Sequence, residues 1–238
     1  MKVDILAIGA HPDDIELSAA GTIMHQIELG KTVAIVDLTE GELGSRGTVE
    51  TRYKEAADAS AIMGIFERVN LNLGDGFFDC SQENKLRIIE QVRQFQPEIV
   101  LVNASSDRHP DHGRASVLAK EACFLSGLLK IETQLQGEKQ EHWRPKAVYS
   151  YIQDHYLKPD LVVDITPYIE RKLAAILAYK TQFYDPKATG PKTPISGKDF
   201  IDFLKGRWAQ FGRNIGVDYA EGFNVDRPIG VQDLTELI

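Results

Sequence analysis

Apolar positions along this chain alternate between two rhythms. Val3, Ile5, Leu6 and Ile8 form a nearly continuous run, which predicts a strand buried on both faces. A helix is predicted next, capped by Asp13 or Asp14, running to about Leu29 and stopped by Gly30. Residues 32–38 predict a second strand. A further helix opens between Thr48 and Thr51, with Tyr53, Ala56, Ala57, Ser60 and Met63 at helical spacing, and ends at Gly64. Residues 69–73 predict a third strand. Residues 84–95 predict an amphipathic helix that presents Leu86, Ile89 and Val92 on one face and stops before Pro97. A fourth strand follows over 99–104.

The second half continues with a mostly apolar helix over 115–129, a polar surface loop over 134–144 and strands over 147–153 and 161–165. A helix opened by Pro167 uses Ile169, Leu173, Ile176 and Leu177. A Pro-, Gly- and Lys-rich loop over 185–197, a helix over 200–211 and an irregular tail from Tyr219 complete the pattern. Strands that alternate with helices argue for a single-domain α/β fold: a Rossmann-like, mostly parallel sheet with helices on both faces. One domain spans 1–238, its core roughly 1–180, with 181–238 adding loop, helix and tail.

Composition narrows the partners. The chain has 238 residues, 43% hydrophobic and 26% charged, enough for one sizeable core and unlike a disordered segment. A net charge of −8 argues against nucleic acid or an acidic membrane surface as partner. Cys80 and Cys123 are too few for a disulfide framework or a zinc knuckle. Neither a signal-peptide apolar region nor a bilayer-length run is present, so the expected location is the cytoplasm, without membrane contact. Trp143 and Trp208 are expected to serve as packing residues.

Chemistry concentrates where two strands end. The first apolar run stops at Gly9-Ala10-His11-Pro12-Asp13-Asp14, with Glu16 two residues on. The fourth runs into Asp107-Arg108-His109-Pro110-Asp111-His112. In parallel α/β folds, ligands bind beyond the C-terminal ends of strands, where strand order reverses. Two imidazoles and one carboxylate make the protein half of a catalytic zinc site, where bound water ionises near neutral pH. A second carboxylate can then take a proton from that water. Spacing leaves open which of Asp13 and Asp14 binds metal, and likewise which of His109 and His112 does. The same residues fit the two-His, one-carboxylate triad of non-haem iron oxygenases, but that reading makes Asp13 a ligand and needs an all-β fold. A non-catalytic sugar-binding module with a purely structural polar cluster is the other alternative.

These two motifs resemble those of the zinc-dependent PIG-L/LmbE-type de-N-acetylases, and the resemblance covers essentially the whole chain. It is strongest to the branch that deacetylates N-acetylglucosaminyl-malate in bacillithiol biosynthesis. Stretches 41–48, 50–52, 71–75, 107–112, 193–196 and 219–223 carry it. The resemblance implies one Zn2+ per chain held by His11, Asp14 and His112. It implies Asp13 as general base, His109 as the group assisting the tetrahedral intermediate, and Asp111 as the carboxylate that orients or tunes that imidazole. Where some relatives place a Tyr near the oxyanion, this chain has Asp107. Arg52 is the candidate for binding substrate carboxylates, with Arg108 and Arg46 as weaker ones; Thr193 and Ser196 are candidates to close over the substrate. The implied substrate is a small amino-sugar conjugate, either N-acetylglucosaminyl-malate or another N-acetylglucosaminide or thiol conjugate. Homo-oligomers are common among such relatives.

Overall fold

The first strand, β1 (Ile5–Gly9), is buried along its length and is an inner strand of a seven-stranded sheet. The computed structural model describes residues 1–186 and 190–237. From β1 the chain passes through α1 (Asp14–Ser18) and α2 (Ala20–Glu28) to β2 (Val33–Asp37), then through α3 (Val49–Met63) to β3 (Glu67–Asn70). It returns through α4 (Gln82–Phe95) to β4 (Ile99–Val102) on the other side of β1. Then come α5 (Pro110–Leu125), a small hairpin of β5 (Gln134–Leu135) and β6 (Glu138–Lys139), and β7 (Ala147–Tyr151). The remaining elements are β8 (Leu161–Asp164), α6 (Ile169–Leu177), α7 (Lys198–Arg213) and β9 (Ala220–Val225).

The strand order is β3-β2-β1-β4-β7-β9-β8. The first five pair in parallel, and β9 runs antiparallel to both β7 and β8. Successive residues of β1 feed opposite faces. Leu6 and Ile8 pack with Val92 and Phe95 of α4 and Leu118 of α5. Ile5 and Ala7 pack with Ile15, Ile23 and Met63 on the other side. The sheet is thus covered on both faces, as the strand–helix alternation predicts. Strand order reverses at β1, which leaves a crevice beyond the ends of β1 and β4.

Several expectations change. The helix predicted to run to Leu29 breaks at Ala19 (φ −138°, ψ 2°). Glu221 of β9 causes the break: its carboxylate accepts the N–H groups of Gly21 (3.0 Å) and Thr22 (2.7 Å), so a new helix starts there. Lys172 of α6 closes the end of α1 by donating to the carbonyls of Glu16 (3.0 Å) and Leu17 (2.8 Å). The buried face of α3 comprises Arg52, Glu55, Ala56, Ala59 and Met63, whereas Tyr53 is 45% exposed. Helix α5 starts at Pro110 rather than at residue 115, because His109 caps it. The polar segment 134–144 contains the small hairpin. Residues 187–189 of the predicted long loop lie outside the described residues. The tail from Tyr219 is irregular only beyond residue 225: residues 220–225 form β9, an inner strand. Its sequence, Ala-Glu-Gly-Phe-Asn-Val, carries no strand rhythm, and pairing on both edges supplies what propensity does not.

Candidate metal centre and active site

The turn after β1 is tight. Asp13 has φ 118° and ψ −22°, a backbone conformation that L-residues rarely adopt and that recurs at functional sites. The Asp13 C=O accepts the Leu17 N–H (3.0 Å), and its carboxylate accepts from Arg52 Nη1 at 3.2 Å. The same guanidinium donates to Pro12 O at 2.7 Å. Arg52 is itself buried beneath the glycine-rich loop: a Cβ on Gly44 would lie 3.2 Å from Arg52 Nη2 and 3.0 Å from Gly41 O. Glycine lets that backbone lie directly over the guanidinium. Burial pushes the Asp13 carboxyl up to about 7, against the pull of Arg52.

Asp14 points the other way. Its carboxylate accepts from Asn103 Nδ2 (3.0 Å), Gln153 Nε2 (3.0 Å) and the His11 N–H (3.0 Å). Its two oxygens lie 3.6 Å from His11 Nδ1 and 3.1 Å from His112 Nε2. Asn103, just past β4, also accepts the Ala10 N–H (2.9 Å) and so ties the two strand ends together. Burial works against the Asp14 charge, but the His112 charge and the hydrogen bonds of both imidazoles hold its pKa well below the usual carboxylate range.

The second motif opens α5. His109 caps the helix, its Nδ1 accepting the Asp111 N–H (3.3 Å), and Pro110 takes the first helical position. This leaves Nε2 of His109 to face the cleft. Burial and the neighbouring charges of His11 and His112 hold His109 below its ordinary value. Asp107, two residues before His109, backs His112 Nδ1 at 2.5 Å and accepts the His155 N–H. For His112, burial is outweighed by the Asp14 charge and the bonds to Asp107 and Asp14, and the imidazole rises to about 9.

The Asp111 carboxylate makes no bond to the His109 ring and acts on it only through its charge, which raises the His109 pKa; it accepts from Arg114 (2.7 Å) and Gly76 N–H (2.8 Å) and lies 3.3 Å from His11 Nε2. Asp75, read from sequence as part of a turn and of the resembling stretch 71–75, lies 3.1 Å from the same nitrogen. Glu16 leaves the cleft altogether and pairs with Arg68, which also grips Asp37 through two bonds. Arg108 is exposed and bonded to Asp154 (3.3 Å) at the rim. Thr193 and Ser196 bond to each other.

A donor nitrogen from each of His11, His109 and His112 lies within 4.8 Å of the other two. His11, Asp75 and Asp111 form a second such group. Asp13, Asp14, Asp75, Asp107 and Asp111 bring five carboxylates to this region, against the guanidinium groups of Arg52 and Arg114. Imidazole nitrogens and carboxylate oxygens gathered this closely are the donor set that suits zinc or another first-row divalent ion. The residues present therefore fit a metal. Beside them opens a cleft of about 260 Å³, walled by the motifs, by Gly41 and Gly44, and by one face of α7.

Among the described residues, no helix is long and apolar enough to cross a membrane. The sequence profile described as "PIG-L: GlcNAc-PI de-N-acetylase" matches residues 6–123, the segment that holds both motifs. Diacetylchitobiose deacetylase of Thermococcus kodakarensis is 29% identical over 190 residues, covering 75% of this chain and 70% of that one. The crystal structure of the conserved protein TT1542 from Thermus thermophilus superposes with a TM-score of 0.87 at 35% identity, over 98% of both chains. A probable N-acetyl-alpha-D-glucosaminyl L-malate deacetylase of Bacillus anthracis is more distant, 24% identical over 75% of this chain and 81% of its own length. Motifs, fold and relatives agree, and the chain belongs to the PIG-L family of de-N-acetylases.

Proposed function

We propose that this chain removes the N-acetyl group from an N-acetylglucosaminide, with N-acetylglucosaminyl-malate as the first substrate to test. The observation that carries this reading is the meeting of His11, His109 and His112 beside a buried Asp13 at the switch point of the sheet. His11, Asp14 and His112 are the residues assigned to hold a divalent metal, zinc first. Once bound, that metal supplies Lewis acidity toward water and the amide carbonyl.

The chain's own groups do the rest. Asp13, held near neutrality by burial, accepts the proton of the attacking water. An amide anion is a poor leaving group, so a proton must reach the departing nitrogen, and protonated Asp13 or His109 Nε2 supplies it. Asp107 fixes the tautomer of His112 through Nδ1, as carboxylates behind ligating imidazoles do. Asn103 and Gln153 keep Asp14 aimed. Arg52 and Arg108, on opposite sides of the cleft mouth, are assigned to the substrate's carboxylates.

The test is acetate release from N-acetylglucosaminyl-malate, methyl N-acetylglucosaminide and N,N'-diacetylchitobiose, with chelator and with zinc restored. Chelator-sensitive release from at least one of them is expected. Release that survives strict metal removal, or none from any, defeats the proposal; the order of kcat/KM decides for or against malate.

A further inference from the structure

The cleft has two chemically unlike flanks. One carries Arg52, Asp75 and the backbone of Gly41 and Gly44. The other is mostly apolar, with Arg207 at its end, the guanidinium 5.4 Å from the centre of the Phe203 ring. Helix α7 presents Phe200, Phe203, Leu204 and Trp208 to it at spacings of three and four, and Leu17 and Ile195 extend the surface. Leu17 stands one helical turn from Asp13, so this flank begins beside the group assigned as base. Phe203 remains 42% exposed although its ring stacks with Phe200 at 6.0 Å between centroids. It forms wall rather than core.

An N-acylated amino sugar also has two unlike halves about its amide. The sugar ring carries hydroxyls, which lose hydrogen bonds to water against phenylalanine and leucine and regain them against Arg, Asp and backbone. The acyl group has no such cost and gains free energy wherever apolar surface covers it. We propose that the α7 flank is an acyl subsite, and that the chain also hydrolyses amino-sugar amides with acyl groups longer than acetyl, from butanoyl to hexanoyl. This rests on the hydrolase reading above and adds a second activity to it. Water contributes its oxygen to the acyl carbon as the carbon–nitrogen bond breaks. The acid leaves as a carboxylate, the amine keeps the electron pair and gains a proton, and no other reactant is consumed.

The experiment uses the full chain with zinc restored, and N-acetyl-, N-butanoyl- and N-hexanoyl-glucosamine, with amine release followed by fluorescence. A fully covered methylene is worth about fourfold; the flank is open on one side, so a rise in kcat/KM of roughly tenfold from acetyl to hexanoyl is expected. A steady fall overturns the proposal. Phe203→Ser, on a half-exposed position, is expected to flatten the rise, and an undiminished slope counts against the subsite. Methyl and hexyl glycosides of N-acetylglucosamine form the comparison series: a gain confined to the hexyl glycoside assigns the flank to the aglycone and overturns the acyl assignment. Should no compound release amine, the hydrolase reading fails, and calorimetry still decides the subsite. Roughly tenfold tighter binding of N-hexanoyl- than of N-acetyl-glucosamine supports it; equal affinities refute it.

Discussion

Lys172→Met tests what holds the first motif from behind. Lys172 and Glu221 are both fully buried, their charges 2.6 Å apart, and the ammonium also lies 4.5 Å from the centre of the Trp208 ring. Between them they satisfy two carbonyls at the end of α1 and two N–H groups at the start of α2. Removing Lys172 leaves a buried carboxylate with only backbone partners, and removing half of a buried pair costs about 3–5 kcal/mol. Glu221→Leu strands the ammonium and two helix-start N–H groups, at a similar cost of about 3–5 kcal/mol. The double variant buries no charge. What remains is four backbone groups without partners, at about 1 kcal/mol each, or roughly 4 kcal/mol in all. The singles together then exceed the double by about 2–6 kcal/mol. Urea unfolding of the four proteins in chelator at pH 7 measures this directly. If the two single losses add to the double within about 0.5 kcal/mol, the pair is not a unit and the reasoning fails.

Asp13→Asn is expected to keep metal but lose turnover by about 10²–10⁴-fold, the usual worth of a positioned acid–base group; full activity removes Asp13 as base. The same variant carries a pH signature in metal-free protein. Folded Asp13 holds its proton to about 7, whereas an unfolded Asp releases it near about 3.9, so the unfolded chain binds fewer protons between those values. Stability therefore falls as pH rises through that window, and the Tm advantage of the Asn variant should grow from pH 5 to pH 8; equal differences at both refute the shift. Arg52→Ala should raise KM for the malyl conjugate more than for the methyl glycoside, and an unchanged ratio removes Arg52 from the carboxylate pocket. Asp107→Asn should weaken zinc binding by about 10–100-fold in a competition titration, as loss of a carboxylate behind a ligating imidazole does; unaltered affinity would show that His112 needs no such support.

The sheet and both motifs were legible because their signals are local. An apolar run that ends in His-Pro-Asp places a strand and a site in the same dozen residues, and it did so twice. The supporting residues were not legible, because each acts at a distance along the chain. Asn103 closes an apolar strand, and a buried amide at that position was the one local hint of its bond to Asp14. Asp75 sits in a Gly-Asp-Gly turn, which explains it without reference to His11. Asp107 stood out as the head of the second motif and as a departure from some relatives, and its partner His112 gives it a purpose. Arg52 was singled out as a substrate contact; its buried bond to Asp13 shows a second role that no spacing predicts. Glu221 belongs to a segment without strand rhythm and reaches a helix 200 positions earlier.

The position of β9 bears on how this protein is made. Of the strands in the sheet it is the last to leave the ribosome, yet it slots between β7 and β8, both synthesised earlier. Until residues 220–225 emerge, two strand edges wait uncovered, which invites chaperone capture or association between nascent chains. The clasp behind the His-Pro-Asp turn waits with them, so metal uptake should follow the emergence of residues 220–225 rather than guide it. A premature stop just before Ala220 would remove not a dispensable end but the closing piece of the catalytic frame.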